Sequence, residues 1–362
     1  MKILFLTKYG KLGASSRYRT YQYLPFLEQE GISYTISSLF TDEYLTARYR
    51  MGRPGIASVL RGFIRRLSVL QSVDQYYLVV IEKELIPYMP AFLERRLLKK
   101  ARAYTLDFDD ALFHIYDQHR RSIVRGMLVD KYPQLISGAS LITAGNSYIA
   151  GYAGRYAKRV EILPTVIDIT KYPIDPGPKG IFTIGWIGTP ITQKYLQLIA
   201  APLRRFFEQR KGRFLVVGAN RALKLEGVPL EIVPWSENDE ISLLQRMHVG
   251  IMPLPDLPFE RGKSGLKLLQ YMACGKPVIA SPVGVNVKLV SNEAGFLADT
   301  DDAWLSSLLT LADDPVLRYT IGSKGRRLVE EKYNLSLWAP RYTCMLREAA
   351  RRVHGGERIE GC

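Results

Sequence analysis

The segment from Phe259 to Asn286, FERGKSGLKLLQYMACGKPVIASPVGVN, constrains this chain more than any other. Leu266, Leu269 and Met272-Ala273 recur at helical spacing. Gly275-Lys276-Pro277 ends that pattern, because glycine accepts φ > 0 and proline cannot continue a helix. Val278-Ile279-Ala280 is a short apolar run suited to a central parallel strand. A basic loop, a helix, a buried strand and a second glycine turn, in that order, belong in an α/β layer. The order sets Gly262-Lys263-Ser264-Gly265 just before a helix N-terminus, with Lys267 in the first turn. The free N–H groups and partial positive charge of such a terminus suit a phosphate. The backbone N–H groups of Ser264, Gly265 and Leu266 are candidates for the distal phosphate. Lys263 and Lys267 are candidates for neutralising the charge of a nucleotide diphosphate. The competing reading is a surface turn with solvated lysines; the helix and strand that follow favour the phosphate.

The rest of the chain alternates short apolar strands with helical patterns, which argues for parallel sheets with crossovers. Ile3–Thr7 is a first strand, followed by Gly10 and Gly13; a helix from about Arg17 to Glu30 ends at Gly31. Ser33–Ser38, Tyr77–Glu82, Ala103–Asp107, Leu141–Ala144 and Val160–Leu163 read as further strands. Phe182–Ile187 followed by Gly188 restarts the pattern of Ile3–Thr7, and strands follow at Leu215–Val217, Leu230–Val233 and Val249–Met252. Pro173–Lys179, PIDPGPK, suits a linker between two such domains. A length of 362 residues suits two cores rather than one. The expected division is residues 1–175 and 180–334, with helical patterns at Pro315–Lys332 and Ser336–Val353 closing the chain.

Met272-Ala273-Cys274-Gly275-Lys276-Pro277-Val278 closely resembles part of the donor-binding signature of GT-B glycosyltransferases, nearest the retaining family 4 type. In that signature an acidic residue and a Glu eight residues later flank a Gly-aromatic-Gly loop; here those two positions hold Gly262 and Gln270. The resemblance implies two Rossmann-like domains facing across a cleft, with the last helix, about 335–353, returning to the first domain. It implies retaining, metal-independent transfer from a UDP- or GDP-sugar, without a cofactor, to a lipid-linked or glycan acceptor. Gln270 retains a donor and an acceptor for a ribose hydroxyl. Glu260, two residues before Gly262, is the candidate substitute for the missing sugar-contacting acid. Gly188-Thr189-Pro190 falls where the family supplies a basic pair to the diphosphate, and Lys194 is the candidate. Backbone near Pro234-Trp235 would meet the nucleobase; Trp235 either stacks on it or packs in the core.

In the first domain, Gly13 and its small neighbours would let backbone approach a sugar or phosphate closely. Arg17 and Arg19 either bind an anionic acceptor or are solvated. Asp107-Phe108-Asp109-Asp110 ends a strand where open α/β sheets bind ligands. It resembles the metal-binding acids of GT-A enzymes, but the surrounding pattern is GT-B, so no metal is expected. Asp109 and Asp110 either orient the acceptor or cap the next helix. His114, His119, His248 and His354 lack metal-ligand spacing.

The net charge of +15 implies an anionic partner. No aromatic-basic interleaving or nucleic-acid motif accompanies it, which argues against nucleic acid. Six arginines and no acid lie between Tyr44 and Val73. Within that stretch Ile56, Val59, Leu60, Phe63, Ile64, Leu67 and Leu70 share a helical face, with Arg61 and Arg65 opposite. Residues 56–70 are read either as an amphipathic helix for an anionic membrane or as a helix packed on its own domain. Three cysteines without metal spacing, and no signal-peptide core near Met1, point to the cytoplasm, with a peripheral place on the inner membrane face as an extension. Rival functions are a nucleotide-sugar epimerase of the same fold and a non-catalytic sugar-nucleotide or glycan binder.

Overall fold

The computed structural model describes residues 1–52, 55–174, 180–290 and 293–351. The chain forms two compact units, each around a six-stranded sheet in which all neighbouring strands run parallel. The first unit comprises residues 1–165, 262–264 and those from Ser336 on; the second comprises 166–261 and 265–335. The passage from first to second at Thr165–Val166 precedes the Pro/Gly run, of which residues 175–179 lie outside those described.

The first sheet contains β1 (Lys2–Tyr9), β2 (Ser33–Phe40), β3 (Leu78–Glu82), β4 (Tyr104–Phe108), β5 (Leu141–Ala144) and β6 (Val160–Ile162), in the order β2-β1-β3-β4-β5-β6. The second contains β7 (Phe182–Ile187), β8 (Gly212–Val217), β9 (Leu230–Val233), β10 (Val249–Met252), β11 (Val278–Ala280) and β12 (Gly295–Leu297), in the order β12-β11-β10-β7-β8-β9. In each sheet the order reverses beside the first strand, between β1 and β3 and between β7 and β10. Ligands of open α/β sheets bind at the carboxyl ends of strands at such a reversal. Strands β3 and β7 are buried along their whole length, so they appear in the sequence as largely apolar runs, with Glu82 and Thr183 as their polar members. The second core includes Trp186, Leu203, Phe206, Val216, Ile279 and Leu308, joined from sheet and helices.

The helix expected over residues 17–30 is broken into Ala14–Arg19, a 3₁₀ turn and Leu24–Gln29, with Pro25 in the first turn of the last piece. Pro25 has no amide hydrogen to carry a continuous ladder through that point. Ile56–Leu70 is helical, but its apolar residues split between two faces. Gly62, Arg66 and Leu70 are buried against the unit, with Val59 and Phe63 half-buried; Ile56, Leu60, Ile64 and Leu67 are exposed. The Arg65 guanidinium donates to the carbonyls of Ser38 and Leu39 at the end of β2, and Arg66 donates to those of Thr7 and Ser37. Arg61 alone of the three arginines faces outward without such an anchor to the sheet.

The helix Leu335–Arg351 carries Pro340 inside it and, from Ser336 on, packs within the first unit. Tyr342 is buried with its ring 4.8 Å from that of Tyr23; Glu348 pairs with Arg159 and Glu30 with Arg347. Among the described residues, no helix is long and apolar enough to cross a membrane.

Candidate functional site

The second sheet brings several of the sequence-derived candidates to its carboxyl edge. Chain leaving β7 turns at Gly188, where a side chain would collide with the Trp186 ring at 2.3 Å. The same added Cβ would stand 2.8 Å from Lys267 Nζ, so only glycine lets the loop, the indole and the ammonium meet. Lys267 lies in the first turn of the helix Leu266–Ala273, its ammonium 4.2 Å from the Trp186 ring centroid. Trp186 is fully buried, so its ring is a fixed platform for that cation. Gly265 caps this helix at φ 70°, a left-handed conformation, with the Leu289 side chain where a Cβ would stand. The first N–H groups of any helix lack intrahelical acceptors, which gives this terminus its capacity for an anion. Tyr271 fixes the helix to the sheet: its hydroxyl accepts from Ile187 N–H at 2.8 Å and reaches the Ile251 carbonyl at 3.4 Å.

Two further candidates adjoin this edge. Trp235 follows β9, is half-buried, and donates its indole N–H to Glu240 at 2.7 Å. Gln270 is buried in the same helix as Lys267 and donates to Glu240 at 2.7 Å. The Thr189 hydroxyl and amide turn to the Thr192 hydroxyl, which closes the loop locally. Lys194 is exposed, its ammonium 5.1 Å from the Tyr195 ring centroid. Glu260 is buried and accepts from the Tyr195 hydroxyl, so its carboxylate is engaged inside the second unit.

The expected four-residue phosphate cradle is divided. Gly262, Lys263 and Ser264 belong to the first unit, whereas Gly265 and Leu266 belong to the second. Asn146 donates to the carbonyls of Gly262 and Lys263 at 3.0 and 3.1 Å, and the Ser264 hydroxyl donates to the Asp109 carbonyl. Lys263 Nζ lies 3.1 Å from Asp110.

Asp110 is also 3.2 Å from Lys83, which lies 2.9 Å from Asp109. Ser15 donates to Asp109. Burial opposes ionisation of Asp110, but Lys263 and then Lys83 more than offset it and hold the carboxyl well below its usual range. Lys83 sits at φ 67°, a left-handed backbone that costs a non-glycine residue on the order of 1–3 kcal/mol. Neighbouring Glu82 is pushed up to about 7 by burial, with Asp109 adding to the effect. It accepts from the Ser16 hydroxyl at 2.9 Å. Asp109 and Asp110 are thus part of an ion-pair cluster with Lys83, rather than caps of the following helix. Among the described residues, no group of three or more His, Cys, Asp or Glu is placed to hold a metal ion.

Arg19 is corrected as an acceptor candidate. It is 1% exposed and donates to both carboxylate oxygens of Asp107 and to the Leu163 carbonyl. A guanidinium so placed stitches β4 to the segment after β6 and is not available to a substrate. Arg17 stays nearer the surface, its guanidinium 5.2 Å from the Tyr18 ring centroid, and Gly13 precedes the short helix Ala14–Arg19. Sequence reasoning passed over Lys83 and Glu240 as functional candidates. Each is a single charge beside a strand or helix end, without a motif around it.

Residues 179–314 match the family model Glycosyl transferases group 1. Sucrose-phosphate synthase from Thermosynechococcus elongatus has a similar structure, with a TM-score of 0.72, 15% identity, and 96% of this chain and 98% of that one covered. HepE from Anabaena, in a complex with UDP and glucose, gives a TM-score of 0.68 at 18% identity, with 96% and 99% covered. A GDP-mannose-dependent monoacylated alpha-(1-6)-phosphatidylinositol monomannoside mannosyltransferase from Corynebacterium glutamicum is 35% identical over 89 residues. That match covers 24% of this chain and only 23% of the mannosyltransferase. The chain has the GT-B fold, and within its second unit residues 179–314 resemble the Glycosyl transferases group 1 family.

Proposed function

We propose that this protein transfers a sugar from a nucleoside-diphosphate sugar to an acceptor hydroxyl, with retention of configuration and without a metal. The observation that carries this reading is the meeting of Gly188, Trp186-supported Lys267 and the Gly265-capped helix at the carboxyl edge of the second sheet. A diphosphate at that helix terminus would have N–H donors and an ammonium directed at its negative charge. Lys267 would stabilise the departing nucleotide, the charge that grows most in the transition state. The remaining catalytic contribution would be positioning of the acceptor on the departing group's face of the sugar. Trp235 and Gln270 are proposed to meet the nucleoside. The neighbours crystallised with UDP, UDP and glucose, or UDP-glucose support a nucleotide donor.

A thermal-shift series with UDP, GDP and ADP and their sugar conjugates tests this. A ligand that binds only the folded state raises the midpoint. At about one hundred times its Kd it adds about 2.7 kcal/mol of stability. We expect one base to raise the midpoint without added metal; no shift by any of them at millimolar concentration would remove the donor assignment. Products from donor alone would favour an epimerase. Binding without turnover would favour a non-catalytic binder.

A membrane-derived acceptor, such as a lipid-linked glycan precursor, is favoured by the exposed Ile56, Leu60, Ile64 and Leu67 beside Arg61. This stripe suits the headgroup boundary of an anionic bilayer, at the inner face of the plasma membrane if the protein is cytoplasmic. Ile64→Asp combined with Arg61→Glu is expected to lower partitioning onto anionic vesicles by at least about tenfold, since it removes an exposed apolar side chain that the bilayer would bury and reverses a charge. Unchanged co-sedimentation would eliminate the membrane surface. Arg66 is a poor probe, because its substitution would disturb the fold.

A further inference from the structure

Glu240 is a buried charge of the second unit. It lies in the first turn of the helix Glu240–Gln245 and is 6% exposed. Neutral donors converge on its carboxylate, among them Trp235 Nε1 on Oε2 at 2.7 Å, Gln270 Nε2 on Oε1 at 2.7 Å, and the Tyr172 hydroxyl at the limit of 3.5 Å. Burying a carboxylate is costly unless its oxygens are satisfied, and an apolar residue would avoid that cost.

A carboxylate can only accept, and this fixes the orientation of both neighbours. Gln270 must turn its NH₂ toward Glu240, which directs its carbonyl oxygen the other way. Trp235 must turn its indole N–H inward, which sets the plane of the ring after β9. A neutral partner at position 240 could pair with Gln270 in either sense, so that contact would no longer select one orientation of the amide. We propose that Glu240 is a positioning residue for nucleoside recognition: through one buried negative charge it holds Trp235 and Gln270 in the orientation that the donor meets. This inference rests on the nucleotide-donor reading above. The essential feature is one negative charge shared by positions 240 and 270, with an amide as its partner.

The test is an exchange of the two groups, read by calorimetric titration with UDP and with GDP and by melting of each variant. Glu240→Gln keeps size and hydrogen-bonding capacity but removes the charge that selects the amide orientation. Nucleotide Kd is expected to rise about tenfold, the scale of one charge-assisted hydrogen bond, with little change in melting. Gln270→Glu places two carboxylates in contact and is expected to weaken binding at least as much and to lower the melting temperature. In the double variant Glu240→Gln with Gln270→Glu, the amide at 240 accepts from Trp235 and donates to the new carboxylate. Its Kd is expected to return to within about threefold of wild type, a coupling that only interacting residues show.

A double variant as weak as the worse single variant, or singles that bind like wild type, would overturn the role of Glu240 while leaving the donor site standing. Failure of wild type to bind either nucleotide would instead bring down the donor reading, and this inference with it. If Gln270→Glu does not fold alone, the Glu240→Gln variant and the double variant decide the matter between them.

Discussion

Replacing Arg19 with alanine is expected to cost about 3–5 kcal/mol of folding stability, as when one partner of a buried ion pair is removed. Asp107 would keep its place with the donor of Thr143 but lose the guanidinium that meets both its oxygens. The Leu163 carbonyl would lose its donor as well. The loss should be visible as a lower urea midpoint with an unchanged slope. Removing both charges, as in Arg19→Met with Asp107→Leu, should be milder than the single change, because no uncompensated charge remains inside. A single-variant loss below about 1 kcal/mol, the range of solvated pairs, would show that the pair is hydrated in solution.

Lys267→Ala is expected to lower turnover by at least about tenfold and by as much as several hundredfold, the range for one preorganised electrostatic contact. Its effect on unliganded stability should be smaller, since a cation–π contact contributes about 0.5–2 kcal/mol. That separation of activity from stability identifies a group that meets charge on the substrate. Gly188→Ala gives a complementary result. Its new methyl group strikes the buried Trp186 ring and the Lys267 ammonium together, so both melting and turnover should fall. Wild-type turnover in Lys267→Ala would show that the phosphate contact lies elsewhere. Lys263→Ala, by contrast, would release Asp110 from one of its two lysines, so its kinetics must be read beside its melting.

The parallel layers were legible because strands such as LVVIE and FTIGWI, buried throughout, read as largely apolar runs. The short β12 was missed: three residues among many carry too little pattern to separate a strand from a turn. At the site, Gly188, Lys267 and Gln270 could be selected because each sits at a fixed offset from a strand end or helix start. Arg19 could not be judged that way. Its partner Asp107 is 88 positions away, and a helical arginine has the same letter whether it faces water or a buried acid. The phosphate loop was misjudged for a related reason. Adjacency in sequence made residues 262–265 look like one cradle, while Asn146, 116 positions from Gly262, binds part of that loop into the first unit.

The return of Leu335–Arg351 to the first unit has a consequence for how the protein comes into being. A ribosome works from the amino end, so everything in residues 166–335 is available before the final piece of the first unit has been made. Until then the side of Tyr23 that Tyr342 will cover is open to water. The newborn first sheet must wait, partly uncovered, while its neighbour has all it needs to fold. The entropy of closing so long an interval grows only slowly with its length, so the delay burdens the timing of assembly far more than the finished stability. Quality control during synthesis would therefore act chiefly on the half of the protein that is begun first and completed last.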